Sequence, residues 1–172
     1  MDYKAFTDAA HGSQKYGDDP YPVHLQAVQD KAAEFTDNLH VLQIAYMHDL
    51  LEDTPVVREQ LGTLFGFMVA DSVQFLTDAP GKNRRERHLN TYWRLRQDPT
   101  ALFVKLCDRW CNHQNVIDND NIKLIQMYRK EYMEFKFALF GNMHEGTQAN
   151  DWIQAMWLQL DAQYELMQKM NG

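Results

Sequence analysis

Apolar residues recur every three or four positions through most of the chain, which is the spacing of amphipathic α-helices. Two series show this most clearly: Ile125, Tyr128, Tyr132, Phe135 and Leu139, and then Trp152, Met156, Leu160, Tyr164 and Met167. We interpret both as stripes that pack into a core. No alternating pattern of comparable strength indicates a β-strand.

Clusters of Gly, Pro, Asp and Asn interrupt the helical pattern and predict where each helix begins and ends. The predicted helices are 2–16, 22–36, 39–52, 55–77 with a break near Gly66, 83–97, 100–117, 121–141 and 147–170. We find no internal repeat and no linker. The pattern therefore predicts one all-α domain over residues 1–172, a bundle of about eight helices whose C-terminal helix (147–170) is scaffold.

Composition narrows the possible partners of this domain. The 172 residues carry a formal net charge of −7, so the total charge gives no general attraction to nucleic acid or to an anionic membrane. No stretch approaches the roughly 20 apolar residues that a membrane-spanning helix needs, and the N-terminus does not resemble a signal peptide. We expect a small-molecule ligand, no membrane and no nucleic acid, while the oligomeric state stays open.

The two cysteines, Cys107 and Cys111, lie four positions apart in a predicted helix, where a disulfide would be awkward. With His113 they could be a fragment of a zinc site, but the spacing matches known zinc sites poorly. Packed, reduced thiols are the favoured interpretation. We therefore expect a cytoplasmic protein.

The segment from Tyr46 to Thr54 concentrates groups that can bind a metal or transfer protons. His48 and Glu52 are four residues apart, as are Asp49 and Asp53, so a helix would present them as two adjacent columns. Carboxylates near a helix C-terminus are disfavoured by the helix dipole, and a cation would offset this. The alternative is that Asp53 or Thr54 only caps a helix begun by Pro55.

Two other predicted helices supply similar groups. His24 lies on the preceding helix, and Lys105, Asp108 and Asn112 share one polar face of a later one. Two imidazoles and two carboxylates from three helices form a mixed nitrogen and oxygen set suited to Mn²⁺, Fe²⁺ or Zn²⁺. Such an ion activates water and polarises a phosphoryl oxygen, which is hydrolytic chemistry.

Basic residues form a second group. Positions 82–87 hold four of the 17 Lys and Arg residues of this acidic chain, among them Lys82, Arg84 and Arg87. Phosphate is a natural partner for such a cluster, although a solvated helix start would look the same. Near the N-terminus, Lys15 and Tyr16 could contact the phosphate and the base of a nucleotide.

Six motifs occur in order along the chain: Ala10 to Gly17, Pro20 to His24, Tyr46 to Thr54, Phe65-Gly66 with Val69-Ala70, Gly81 to Arg84, and Val104 to Arg109. In this order they resemble the HD-domain phosphohydrolases of the RelA/SpoT hydrolase and small alarmone hydrolase type. The resemblance covers roughly residues 6 to 140.

The resemblance implies an all-helical HD fold with one bound metal ion, typically Mn²⁺. By position, the implied ligands are His24, His48, Asp49 and Asp108. Glu52 and Asp53 match the acidic pair that orients or activates water. Asn112 matches a position near the substrate, which we also expect Lys105 to contact. The implied phosphate contacts are Lys15, Lys82, Arg84 and Arg87, and Arg109 either joins them or locks its helix by an ion pair.

The implied reaction removes pyrophosphate from the 3′ position of guanosine tetra- or pentaphosphate. The chain differs from many family members in having only Lys15, followed by Tyr16, where an Arg-Lys pair is common. It also has Leu25 where proline usually follows the first metal histidine. Two alternatives stay open: hydrolysis of another nucleotide by the same centre, and a non-catalytic HD module that binds a nucleotide or a protein.

Overall fold

The computed structural model describes residues 1–140 and 148–170 of the chain. These residues form ten helices and one short antiparallel hairpin. In chain order they are α1 (Tyr3–His11), β1 (Lys15–Tyr16), β2 (Asp19–Pro20), α2 (Tyr21–Ala33), α3 (Leu39–Met47), α4 (Leu50–Asp53), α5 (Arg58–Phe65), α6 (Phe67–Leu76), α7 (Arg84–Leu95), α8 (Pro99–Asp118), α9 (Ile122–Leu139) and α10 (Gln148–Lys169). The predicted all-α class is confirmed. Residues 141 and 147, the predicted ends of the last two helices, lie outside the described residues.

The first helix ends five residues earlier than predicted, because Gly12 terminates it. Gly12 has a φ of +58°, a conformation that an L side chain rarely adopts, and its N–H closes the helix on the Asp8 carbonyl. The chain then turns through the β1–β2 hairpin, in which Tyr16 pairs with Asp19. The prediction that residues 12–16 are helical is therefore wrong, and Tyr16 lies on a strand.

The helix predicted over 39–52 is also interrupted, at the residues expected to carry chemistry. α3 ends at Met47, and Asp49 has φ −96° and ψ 0° before the single turn of α4. His48 and Glu52 therefore do not form the straight helical column that the spacing predicted. The following helix begins at Arg58, not at Pro55, so the proposed capping of a helix at Pro55 is wrong. The predicted break at Gly66 is confirmed by its φ of +95°.

The longest of the central helices, α8, packs against α2, α3, α6, α9 and α10. Asp98 caps it by accepting hydrogen bonds from the N–H groups of Thr100 and Ala101, and Pro99 occupies the first turn. Its buried side, including Phe103 and Leu106, belongs to the main core. α8 is thereby held as a rigid support for the polar residues on its other side.

The two cysteines lie on the buried part of α8 as free thiols. Burial raises the pKa of Cys107 well above its ordinary value and that of Cys111 to about 12, so both stay protonated at neutral pH. His113 instead packs against the Tyr128 ring, with a centroid separation of 4.9 Å. These contacts agree with packed, reduced thiols.

Among the described residues, no helix is both long enough and apolar enough to cross a bilayer.

Candidate active site

The four predicted ligands converge from three parts of the fold. His24 comes from α2, His48 and Asp49 from the junction of α3 and α4, and Asp108 from α8. One potential ligand atom from each of His24, His48 and Asp49 lies within 4.8 Å of the others. Asp108 Oδ1 lies 3.4 Å from His24 Nε2 and 3.7 Å from His48 Nε2. The break in the predicted helix lets His48 and Asp49, neighbours in sequence, point into the same space.

The hydrogen bonding of His48 leaves one of its nitrogens free for a cation. Its Nδ1 lies 2.9 Å from the Ala45 carbonyl, which fixes the ring and turns Nε2 toward the cluster. Nε2 is buried and lacks a hydrogen bond of good geometry, although Asp49 Oδ2 is 3.0 Å away. A buried nitrogen without such a partner is costly unless a proton or a metal ion occupies it. The residues present therefore fit a divalent cation that takes nitrogen and oxygen ligands.

Electrostatics in the cluster favour ionised carboxylates. Burial lowers the pKa of His48, but Asp49 and Asp108 outweigh it and raise the pKa to about 9. Burial opposes ionisation of Asp108, yet Lys105 and the two histidines hold its pKa well below the ordinary value. The pKa of Asp49 is likewise lowered, with His48 overcoming burial. Both carboxylates are therefore negatively charged at neutral pH, as metal ligands must be, and His48 has to release its proton when a metal ion binds.

Further polar groups hold these carboxylates in place. The Tyr21 hydroxyl donates to Asp49 Oδ2 at 2.5 Å. On α8, Lys105 Nζ donates to Asp108 Oδ2 at 2.9 Å, and Asn112 Nδ2 donates to Asp108 Oδ1 at 2.5 Å. The predicted polar face of α8 is thus a set of contacts to one carboxylate. Such partners orient metal ligands and tune their basicity.

Glu52 and Asp53, the predicted acidic pair, have different surroundings. Glu52 lines the pocket beside the cluster, and its Oε2 accepts a 2.9 Å hydrogen bond from the Asp78 N–H. Burial raises the pKa of Glu52, with the Asp78 amide as a smaller opposing influence. Asp53 Oδ2 accepts a 2.7 Å hydrogen bond from Gln14 and is outside the pocket lining. Of the two carboxylates, Glu52 is therefore the one in contact with the pocket.

The pocket, about 220 Å³ in volume, extends from the His/Asp cluster to an aromatic and basic end. That end is formed by Arg84, His88, Tyr92, Arg109 and Tyr128. His88, Tyr92 and Tyr128 were not among the predicted site residues, because the two tyrosines look like core positions at helical spacing. The stripe of α9 was expected only to pack into the core, yet α9 brings Tyr128 to the site.

The predicted substrate contacts divide into two groups. Arg84 and Lys105 line the pocket, as do Tyr16 and Asn112. Lys15, Lys82 and Arg87 are absent from the lining. Lys15 Nζ is 3.3 Å from the Asp18 carbonyl, and Arg87 Nε is 3.6 Å from Asp78 Oδ2. Only part of the predicted basic set therefore meets the pocket in this structure.

The two pocket arginines share a carboxylate, Glu131 of α9. Arg84 Nε donates to its Oε1 at 2.9 Å, and Arg109 Nη1 lies 3.5 Å from its Oε2. Arg109 is buried, with its guanidinium 4.5 Å from the Phe135 ring centroid and 5.2 Å from that of Tyr128. Burial raises the pKa of Glu131, but the two arginines outweigh it and lower the pKa. Two roles were expected for Arg109, a phosphate contact or an ion pair that locks α8. These contacts favour the ion pair, with Glu131.

Several known proteins are similar to this chain in sequence. No protein-family model matches the chain. It is 32% identical over 117 residues to a guanosine-3′,5′-bis(diphosphate) 3′-pyrophosphohydrolase of Vibrio cholerae, an alignment covering 64% of this chain and 17% of that protein. A protein of the same name from Aquifex aeolicus is 30% identical over 131 residues, covering 73% of this chain and 18% of that protein. The chain thus spans less than a fifth of the length of these relatives.

A shorter relative is closer to this chain in size. The guanosine-3′,5′-bis(diphosphate) 3′-pyrophosphohydrolase MESH1 of Danio rerio is 34% identical over 117 residues, covering 62% of this chain and 63% of that protein. Among solved structures, one described as a metazoan ortholog of SpoT that hydrolyses ppGpp has the same fold. It matches with a TM-score of 0.59 and 22% identity over 92% of this chain and 91% of that one. The resemblance inferred from the motifs is confirmed.

Proposed function

Because the chain is a relative of the RelA/SpoT-type HD hydrolases in sequence and in fold, we propose that it is a metal-dependent nucleotide phosphohydrolase. In its most specific form, the proposed reaction removes the 3′-pyrophosphate of guanosine tetra- or pentaphosphate. The observation that carries the proposal is the convergence of His24, His48, Asp49 and Asp108 beside the pocket that Glu52 lines. A pocket that only bound a nucleotide would not need a further carboxylate with a raised pKa beside a metal site.

The ion in this proposal is Mn²⁺, with Fe²⁺ or Zn²⁺ as the alternatives. Two imidazoles and two carboxylates are intermediate between the soft ligands that favour zinc and the all-oxygen sets that favour magnesium. The ligands would be His24, His48, Asp49 and Asp108. A bound divalent ion supplies Lewis-acid chemistry, lowering the pKa of a water molecule and polarising a phosphoryl oxygen.

The protein's own residues then have separate roles. Glu52, with its raised pKa, would accept a hydrogen bond from the attacking water and take up its proton. Asp53, held by Gln14, would support the orientation of that water from behind. Lys105 and Arg84 line the pocket as cations and would bind the phosphate charge, while Asn112 would lie beside the substrate.

One observation favours a second candidate, hydrolysis of a different nucleotide by the same centre. A guanosine tetraphosphate carries two diphosphates, whereas Lys15, Lys82 and Arg87 do not line the pocket and Glu131 already pairs with Arg84. A substrate with fewer phosphate groups would need fewer cations. The proposed catalytic centre is identical in both candidates.

Substrate profiling tests both candidates. The purified chain would be incubated with Mn²⁺ and guanosine tetraphosphate, the common NTPs and dNTPs, or nucleoside monophosphates, and the products separated by anion-exchange chromatography. Asp49→Ala is the control, because it removes a proposed ligand. Pyrophosphate from the tetraphosphate supports the specific proposal, and turnover of another nucleotide supports the second candidate. Folded, metal-loaded protein without turnover of any nucleotide would contradict both.

We also propose a cytoplasmic setting, because Cys107 and Cys111 are both free thiols.

A further inference from the structure

Tyr16 makes contacts that a substrate-binding residue does not need. Its ring stacks on the imidazole of His24, with centroids 4.3 Å apart and an interplanar angle of 11°. Its hydroxyl donates a 2.6 Å hydrogen bond to Asn112 Oδ1. Tyr16 lies on β1 and Asn112 on α8, so this bond joins the hairpin to the central helix. Both contacts are to residues of the proposed metal site or next to it.

Asn112 passes this contact on to the metal-site carboxylate. Its Nδ2 donates to Asp108 Oδ1 at 2.5 Å, and Oδ1 is the oxygen that lies near both His24 and His48. The other oxygen of Asp108 is held by Lys105. Two consecutive hydrogen bonds therefore connect the Tyr16 hydroxyl to the oxygen that faces the histidines.

The chemistry of the three groups fixes the direction of these hydrogen bonds. An ionised carboxylate only accepts, so the amide nitrogen of Asn112 must face Asp108 and the amide oxygen must face Tyr16. The tyrosine then has to donate. Burial and the nearby Asp108 raise the pKa of Tyr16, which keeps the hydroxyl protonated and able to donate. Without this donor, the Asn112 amide would lose the contact that sets its orientation.

We propose that Tyr16 is a positioning residue of the metal site: its hydroxyl orients Asp108 through Asn112, and its ring holds the imidazole plane of His24. The inference rests on the proposed metal site and replaces the predicted substrate contact of Tyr16. The β1–β2 hairpin, which follows the end of α1 at Gly12, thereby has a role in the site. It carries Tyr16 on a strand, where the side chain contacts His24 and Asn112. Residues that orient metal ligands typically change metal affinity by about 10- to 100-fold when they are altered.

The decisive variant is Tyr16→Phe, which keeps the ring stacked on His24 and removes only the hydroxyl. We expect Mn²⁺ binding, measured by competition with a chromophoric chelator in the absence of nucleotide, to weaken about tenfold. At saturating Mn²⁺ the KM for the substrate should stay unchanged. Tyr132→Phe is the matched control, because Tyr132 is also buried and donates to a carboxylate, Asp161, at 2.7 Å. That variant should bind Mn²⁺ as the wild type does.

A double-mutant cycle tests whether the effect passes through Asn112. In an Asn112→Ala background, Tyr16→Phe should cause little further loss of Mn²⁺ affinity, since the connection is already broken. Circular dichroism would establish that each variant is folded. An equal loss in both backgrounds would overturn the connection through Asn112.

The outcomes also separate this inference from the proposed function. Wild type that binds no divalent metal would contradict the proposed function itself. Wild type that binds Mn²⁺ while Tyr16→Phe binds it equally tightly would overturn only the role of Tyr16. If Tyr16→Phe raises the KM and leaves the Mn²⁺ affinity unchanged, Tyr16 contacts the substrate and does not position the metal site.

Discussion

At the scale of single residues, two adjacent arginines on α7 have different surroundings. Both pair with a glutamate of α9, Arg84 with Glu131 and Arg85 with Glu134. Only Arg84 lines the pocket, and the side chain of Arg85 is 73% exposed. A comparison of variants at Arg84 and Arg85 therefore distinguishes the proposed binding of phosphate from the loss of a surface ion pair. Exposed ion pairs contribute little to stability.

We predict that Arg84→Ala raises the KM for an anionic nucleotide about tenfold, with a smaller effect on kcat, because a charge-assisted hydrogen bond to the substrate is lost. Arg85→Ala should leave both constants unchanged. Steady-state kinetics at saturating Mn²⁺ would measure the two variants. Equal KM values for Arg84→Ala and the wild type would mean that Arg84 serves Glu131 alone.

Metal binding and water activation should be separable. Glu52→Gln should retain bound metal and lose at least about 100-fold in kcat, because an amide cannot accept a proton from water. Asp49→Ala should lose the metal as well as the activity. Elemental analysis of both proteins, alongside single-turnover kinetics, makes the distinction. Loss of metal in Glu52→Gln would show that Glu52 is itself a ligand.

The burial of His113, which is not a proposed metal ligand, leads us to expect a pH-dependent stability. Burial and Arg109 lower its pKa to about 3, and it packs against Tyr128 and Tyr132 of α9. Its folded-state pKa is below the unfolded value, so the unfolded state binds more protons as the pH falls through about 6.5. The contribution of neutral His113 to the free energy of unfolding is therefore complete above about pH 6.5 and is lost as the pH falls toward 3.

We expect the free energy of unfolding of wild type to fall, between about pH 7 and about pH 5, by about 2 kcal/mol more than that of His113→Gln. Urea titrations in the presence of a chelator would measure it. His40→Gln, at an exposed position, is the control and should follow the wild type. Parallel curves for wild type and His113→Gln would show that His113 does not titrate as its burial requires.

Residue identity and order were enough to predict the four residues that converge as the proposed ligands. His24, His48, Asp49 and Asp108 are recognisable because metals require a small set of side-chain types. Tyr92 and Tyr128 were not recognisable, since a tyrosine at helical spacing looks the same whether it packs in a core or lines a pocket.

At the scale of elements, α8 carries Lys105, Asp108, Arg109 and Asn112, so its stability affects the whole site. Asp98 caps its N-terminus through two N–H groups and also accepts a 2.5 Å hydrogen bond from Ser72 of α6. The cap therefore both begins the helix and attaches it to its neighbour.

Asp98→Ala should lower the free energy of unfolding by about 1 to 2 kcal/mol, the usual cost of losing an N-cap. Asp98→Asn should lower the free energy of unfolding by less, because asparagine caps helices as well as aspartate does. Chemical denaturation would measure both variants. A loss as large in Asp98→Asn as in Asp98→Ala would indicate that the carboxylate charge, not the cap, stabilises the helix start.

The elements that the sequence did not predict are those set by single backbone positions. Gly12 ends α1 and permits the hairpin, and the turn at His48 and Asp49 splits a helix whose apolar spacing continues through it. Propensity and periodicity average over many residues, so they place long helices well and miss local turns. In this protein the second turn carries two of the proposed ligands, and the hairpin after the first turn places Tyr16 against His24.

At the scale of the whole molecule, the helices bring distant residues together around one pocket. His24 and Asp108 are 84 positions apart in sequence, yet their side-chain atoms approach to 3.4 Å. An all-α domain could be predicted from the sequence, and the hydrolase resemblance came from the order of the motifs. The pairing of Arg84 and Arg109 with Glu131 could not be predicted, because it depends on how α7, α8 and α9 pack.

In the proposed reaction, metal-dependent attack of water releases pyrophosphate from the 3′ position of the nucleotide. This reaction can be followed by ³¹P NMR of guanosine tetraphosphate incubated with the Mn²⁺-loaded chain in ¹⁸O-labelled water. We expect guanosine diphosphate without label and pyrophosphate carrying one ¹⁸O, because water attacks phosphorus and the bond to the ribose oxygen breaks. With Asp49→Ala we expect no product. Release of orthophosphate, label in the nucleotide, or the same rate with Asp49→Ala would contradict the proposed reaction.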